Sequence, residues 1–231
     1  MAKRTKTGLQ IHQRYKLSEN HVDFVKCILN EDVRLIFADG PAGTSKTYCS
    51  VYAALRLLER KHYNNIVYVR SLAESGSKTF GILPGEAEDK FKPWAIPLIE
   101  KLDELIPVHM SKKMFADETI KCTPVNYLRG STFRESVVII DEAQNLNLNE
   151  LITTLTRIGE NCKIVVLGDT MQSDISDKRS YYNIMNCFGD EESCGKGVWS
   201  FKFTEEDITR SEILKFIIVK LSALKGDLGK A

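Results

Sequence analysis

Long apolar runs are missing from this chain. No stretch approaches the roughly 18 consecutive apolar residues of a membrane span, and Met1 to Lys6 leads into polar residues instead of a signal-peptide core. A cytoplasmic protein without a membrane partner is expected. An excess of charge is missing too. The 32 Lys and Arg face 31 Asp and Glu, a formal net charge of +1, so no global field draws in nucleic acid and no acidic surplus favours disorder. Any nucleic-acid site must be local. Paired cysteines are the third absence: Cys27, Cys49, Cys122, Cys162, Cys187 and Cys194 are scattered, with no C-x-x-C and no His at ligand spacing. They read as small core residues, and Cys187 and Cys194, either side of Gly189, lack the second pair that would make a zinc site. Internal repeats and low-complexity tracts are absent as well. What remains is an ordinary globular composition, 43% hydrophobic and 27% charged over 231 residues. That length supports one core burying about 70% of the unfolded surface.

Residues 1–17 carry Lys3, Arg4, Lys6, Arg14 and Lys16 and no acid, so segment 1–19 reads as a mobile basic arm, either solvated or touching phosphate. The spacing of Val22, Val25, Ile28 and Leu29 predicts a short amphipathic helix from Asn20. Arg34 to Ala38 is an apolar run ended by Asp39-Gly40-Pro41, a buried strand entering a loop. A helix over Tyr48–His62 and a strand over Ile66–Val69 complete a βαβ unit. Glu86 to Ile106 is helical with breaks at Pro93 and Pro97, and Ser111 to Phe133 is irregular, within a short insertion around 107–135. Further strands are predicted at Val137–Ile140, Cys162–Leu167 and Val198–Phe203, with helices at Leu148–Ile158 and Ser211–Leu224. This alternation predicts one α/β domain over 20–231, its sheet mainly parallel, with right-handed crossovers and helices on both faces. Ligands of such sheets sit at the carboxyl ends of the strands. There the polar groups follow: Gly40 to Thr47, Arg70, Asp141-Glu142 and Gly168 to Gln172.

Gly40-Pro41-Ala42-Gly43-Thr44-Ser45-Lys46-Thr47 follows a strand and opens a helix, the context a phosphate-binding loop needs. Backbone N–H groups there form an anion nest, strengthened by the helix N-terminus. Lys46 is expected to reach the β- and γ-phosphates of a nucleotide and Thr47 to ligate Mg²⁺. The usual pattern is G-x-x-x-x-G-K-[ST], and Ser45 stands where it has its second Gly. In Val137-Val-Ile-Ile-Asp141-Glu142-Ala143-Gln144 a buried strand delivers two carboxylates, Asp141 suited to Mg²⁺ and Glu142 to activating water as general base. After the next strand, Gln172 is a candidate sensor of the γ-phosphate, while Asp169 reads equally as a loop cap.

These motifs in this order resemble superfamily-one helicase cores, and further segments resemble the PhoH family of P-loop ATPases. Those segments are Gly40-Pro-Ala-Gly-Thr, Gly81-Ile-Leu-Pro-Gly85, Tyr127-Leu-Arg-Gly130, Asp141-Glu-Ala-Gln-Asn145, Leu155-Thr-Arg-Ile-Gly159 and Gly168-Asp-Thr-Met-Gln172. The resemblance implies a RecA-like P-loop NTPase using ATP and Mg²⁺ in nucleic-acid metabolism, with no room for the nuclease domain fused to some members. The chain also departs from the family pattern. Asn20-His21 before Phe24 replaces an adenine-reading Asn-Gln, which makes His21 the candidate base contact. Arg70-Ser71 replaces Arg-Pro, and Asp207-Ile-Thr-Arg210 followed by Ser211 replaces Asp-Val-Val-Arg-His. This divergence suggests a distant member of the sort found on viral genomes. Arg70, Arg129, Arg157 and Arg210 lie in matching segments; each alone suits an ion pair, while Arg157 or Arg210 suits a finger on transition-state charge and Arg70, with Lys78, a nucleic-acid backbone. Trp94, Phe91 and Phe80 read as core before base-stacking platforms.

The sequence therefore points to a Mg²⁺-dependent ATPase coupled to single-stranded RNA or DNA, helicase-like in its core. A nucleotide-dependent switch that binds a protein partner is the alternative, and a small-substrate kinase is disfavoured by the lack of an acceptor lid. One RecA-like lobe supplies half an ATP site, so a homo-oligomer, such as a hexameric ring, is expected to supply the rest.

Overall fold

The computed structural model describes residues 9–71, 87–128, 132–170, 179–209 and 211–228, with the backbone alone for 87–93 and 222–228. Among the described residues six strands form one sheet: β1 (Leu35–Asp39), β2 (Asn65–Arg70), β3 (Ile120–Pro124), β4 (Ser136–Asp141), β5 (Lys163–Gly168) and β6 (Val198–Lys202). Their spatial order is β3-β2-β4-β5-β1-β6, and every pairing is parallel. Central strands buried on both sides need apolar residues at every position, which is why Val-Val-Ile-Ile in β4 and Ile-Val-Val-Leu in β5 read as continuous runs. Alternate residues serve opposite layers. Ile36 and Ala38 of β1 face α1 (Glu19–Leu29), α2 (Lys46–Glu59) and α3 (Ala87–Leu105), while Leu35 and Phe37 face Leu151 of α5 (Leu148–Leu155) and Tyr181 of α6 (Ser180–Cys187). This is the expected α/β P-loop NTPase fold of RecA-like form. Between the strand that feeds the loop, β1, and the strand that ends in Asp141, β4, lies β5.

Three expectations are corrected. Residues 107–128 are not an irregular insertion: α4 (Val108–Ala116) leads into β3, which pairs with β2 as an edge of the sheet. The helix α3 runs through Pro93 and Pro97 without a break. The two prolines are one helical step of four apart, so the N–H groups they lack fall on a single face and the other faces keep their ladder. From Leu9 onward the basic arm is not mobile. Leu9, Ile11 and Leu17 pack on the core, the His12 N–H donates to Leu105 O at 2.7 Å, and the Arg14 N–H donates to the Tyr48 hydroxyl at 3.0 Å. Two short helices beyond the expected set, α6 and α7 (Glu191–Gly195), precede β6, and α8 (Glu212–Leu228) is the last described element.

Lys163, the first residue of β5, is fully buried. Its ammonium donates to Asn30 O at 2.6 Å and to Val33 O, tying the α1–β1 connection to the centre of the sheet. Burial lowers its pKa from 10.5 to about 8. Across that window the unfolded chain binds more proton than the folded one, so the penalty for burying the charge is complete at lower pH and relieved as pH rises. In urea unfolding, the stability of the parent chain relative to Lys163→Met is expected to rise by up to about 3 kcal/mol between pH 7 and pH 10. A difference that stays flat with pH would remove the buried charge as its cause.

Candidate nucleotide-binding site

A cleft of about 780 Å³ opens at the carboxyl ends of the strands, with Lys46, Thr47, Asp141, Glu142, Gln144 and Asp169 among its walls. The loop from Gly40 to Ser45 leaves β1 and turns into α2, whose N-terminus faces this cleft. Gly40 has no room for a side chain: a Cβ would lie 2.6 Å from Phe203 Cβ. Gly43 is left-handed at φ 84°, and so is Ser45 at φ 53°, a conformation that explains why glycine is usual at this position. The Lys46 ammonium lies over the loop, donating to Gly40 O at 2.6 Å and Pro41 O at 3.0 Å. Burial lowers its pKa, with Asp169, Asp141, Glu142 and Asp39 opposing the shift.

Beneath the loop, the Thr47 hydroxyl lies 3.3 and 3.2 Å from the two oxygens of Asp141. The same carboxylate accepts the Tyr68 hydroxyl at 2.5 Å and the Glu142 N–H at 3.0 Å. Tyr68 was not among the expected site residues. Burial and the adjacent Asp141 push its phenol well above the ordinary range, so it remains a donor. Glu142 adopts φ 54°, which turns its side chain out of the strand register into the cleft. One of its oxygens accepts Gln144 Nε2 at 2.6 Å and the other lies 3.8 Å from Arg70 Nη2. Gln144 in turn accepts the Asp169 N–H at 3.0 Å, so it bridges the ends of β4 and β5. Burial, then the neighbouring Asp141, raises the Glu142 pKa and makes it a stronger base than a solvated glutamate.

His21 is turned onto the backbone of the loop. It is fully buried, with Nε2 3.0 Å from Thr44 O and Nδ1 2.6 Å from the Ser18 hydroxyl. Because a carbonyl only accepts, Nε2 carries the proton and His21 supports the loop from below. Phe24 is equally buried, edge-on to Phe203. His21 also lines a hollow of about 310 Å³, together with Tyr15, Lys16, Asp207, Ile208 and Thr209. Arg157 follows α5 at the amino-terminal edge of the sheet, where its carbonyl accepts the Phe133 N–H, and it is not brought to the cleft of its own chain. Gln172, Arg210, Arg129, Lys78 and Phe80 lie outside the described residues, as does the Gly81–Gly85 segment, and nothing is described of the Phe91 side chain. Among the described residues the cysteines are all free and no His, Cys, Asp and Glu group is arranged to hold a metal by itself. No described helix is long and apolar enough to cross a membrane.

A left-handed glycine loop wrapped by lysine at a helix N-terminus, above a threonine paired with a strand-end aspartate, defines a P-loop NTPase-class, nucleotide-binding protein. The chain belongs to the PhoH-like family, whose model, described as "PhoH-like protein", matches residues 15–222. The protein PhoH of Escherichia coli K12 is 31% identical over 200 residues, 85% of this chain and 54% of its own length. A PhoH-like protein of Bacillus subtilis is 35% identical over 141 residues, 61% of this chain and 44% of its own. The chain thus spans about half the length of these two relatives. Among solved structures, the Sulfolobus solfataricus SWI2/SNF2 ATPase core in complex with dsDNA aligns over 86% of this chain and 46% of its own, at 14% identity and a TM-score of 0.49. The Pif1 helicase of Candida albicans aligns over 82% and 40%, at 21% identity and a TM-score of 0.38.

Proposed function

We propose that the chain binds ATP with Mg²⁺, hydrolyses it, and uses the cycle to bind or remodel single-stranded nucleic acid. One observation carries this reading: Lys46 and Thr47 at the start of α2 and Asp141 and Glu142 at the end of β4 converge on one cleft, with Thr47 and Asp141 94 residues apart in sequence. Their oxygen donors fit a hard divalent cation, held by Thr47 and Asp141. Bound there, Mg²⁺ would neutralise charge on the β- and γ-phosphates. Lys46 and the loop backbone hold the phosphates in place, and Glu142 takes the proton of the attacking water. Gln172 and Arg210 are kept as candidate γ-phosphate contacts by their place in the sequence alone.

Arg70 leaves β2 at the mouth of the cleft, partly exposed and beside Glu142, where a nucleic-acid phosphate would compete with the carboxylate for its guanidinium. That supports coupling between strand binding and turnover. Ile213 and Ile217 of α8 line the cleft yet remain 65% and 43% exposed, a surface that supports a neighbouring subunit closing the site. Arg157, remote from its own cleft, is available to such a neighbour.

Hydrolysis is to be measured with ATP and Mg²⁺, with and without single-stranded RNA or DNA, over a range of protein concentrations. The expected result is stimulation by one of the strands and specific activity that rises with protein concentration. Turnover unaffected by any strand would favour the switch reading, and constant specific activity would remove the shared site.

A further inference from the structure

We infer that Thr209 is a positioning residue that latches the phosphate loop through Ser45, an inference that rests on the cleft being an ATP site. Three residues of the loop have positive φ, Gly40, Gly43 and Ser45, and Ser45 alone of them carries a Cβ. Glycine holds that conformation at little cost, but a residue with a Cβ is strained there and persists only where its surroundings fix it. What fixes Ser45 comes from 164 residues away: its hydroxyl lies 2.6 Å from Thr209 Oγ1. Ser45 accordingly makes no side-chain capping bond to α2.

Thr209 holds Gly43 as well. Its N–H donates to Gly43 O at 3.1 Å, and its hydroxyl lies 3.3 Å from the same carbonyl. A carbonyl can only accept, so the hydroxyl of Thr209 donates to Gly43 O and the hydroxyl of Ser45 donates to Thr209. The relay begins and ends on the loop and closes it into a ring through one threonine. Thr209 is itself held in place. Asp207, two residues earlier, accepts from Asn20 Nδ2 and from the Thr204 N–H, each at 2.9 Å, which fastens this segment to the start of α1. Ser45 and Thr209 are both departures from the patterns the chain otherwise follows, and they touch. A serine in a glycine position is tolerated because a hydroxyl across the cleft receives it.

Affinity for a fluorescent ATP analogue, measured on the full chain, tests this. Thr209→Val, which removes the hydroxyl at similar volume, is expected to weaken binding about tenfold, the scale of one to two lost hydrogen bonds. Thr209→Ser is expected to stay within about twofold, and adding Ser45→Gly to Thr209→Val to restore affinity to within about threefold of the parent, because glycine needs no latch. A threonine that merely stabilises the fold would lower the melting temperature without this rescue. Parent-like binding by Thr209→Val, or failure of Ser45→Gly to rescue it, overturns the inference. Amide hydrogen exchange across residues 43–49 in nucleotide-free protein separates the latch from the ATP reading. Faster exchange in Thr209→Val upholds the latch even if the parent binds no nucleotide, and unchanged exchange removes it.

Discussion

Glu142→Gln is expected to bind ATP as tightly as the parent chain while its turnover falls by about 10²–10⁴, the range a positioned general base contributes. The substitution keeps the size and planarity of the group and leaves Lys46, Thr47 and Asp141 untouched, so the phosphate-holding contacts survive. What disappears is a carboxylate that faces the cleft beside Gln144 and stands apart from the Thr47–Tyr68 cluster around Asp141. The cleft-facing carboxylate of Glu142 lies between Gln144 and Arg70, so the loss should appear in the chemical step and leave binding intact. Equilibrium binding and single-turnover hydrolysis together decide the matter: equal turnover in the variant would remove Glu142 as the base.

Lys46→Ala is expected to lower nucleotide affinity by about 10²–10³, the equivalent of two hydrogen bonds from a charged donor. The ammonium donates to the loop's own carbonyls at Gly40 and Pro41, neutral acceptors that it exchanges for anionic phosphate oxygens when they arrive. Burial lowers its pKa, and four carboxylates oppose that shift. Removing it also unclips the two ends of the loop. Calorimetric titration with Mg²⁺ and ATP reads the effect, and affinity unchanged by the substitution would contradict the phosphate-binding role.

Much of this site was legible in the sequence for a local reason. Lys46 and Thr47 are adjacent, Asp141 and Glu142 are adjacent, and each pair directly follows an apolar run, so the strand end and the chemistry announce each other. The groups that shape the site were hidden because they are made by tertiary contact. Tyr68 meets Asp141 across 73 residues and Thr209 meets Gly43 across 166, and neither belongs to a spacing pattern. The identity of His21 is plain in the sequence, but its direction is not: the same imidazole faces a base or a carbonyl depending on how α1 is docked. In the fold, continuous apolar strands were visible, whereas β3, Ile-Lys-Cys-Thr-Pro at the sheet's edge, is only partly buried, carries no apolar run and ends on Pro124, and reads as loop. The helices α6 and α7, eight and five residues long, are too short to display a period.

The order of strands has a consequence for biosynthesis. The strand β6 is the last made, yet it pairs along the whole of β1, among the first. The segment after β6 then carries Thr209 onto Gly43. At roughly 5–20 residues per second, the ribosome needs on the order of 10–30 s after making the loop to deliver this flank. Until then β1 has an open edge and Ser45 has no partner. The nascent chain thus carries the loop, Lys46 and Thr47 through the synthesis of more than 150 further residues without the scaffold that shapes them, and competence for nucleotide waits on the segment that carries Thr209.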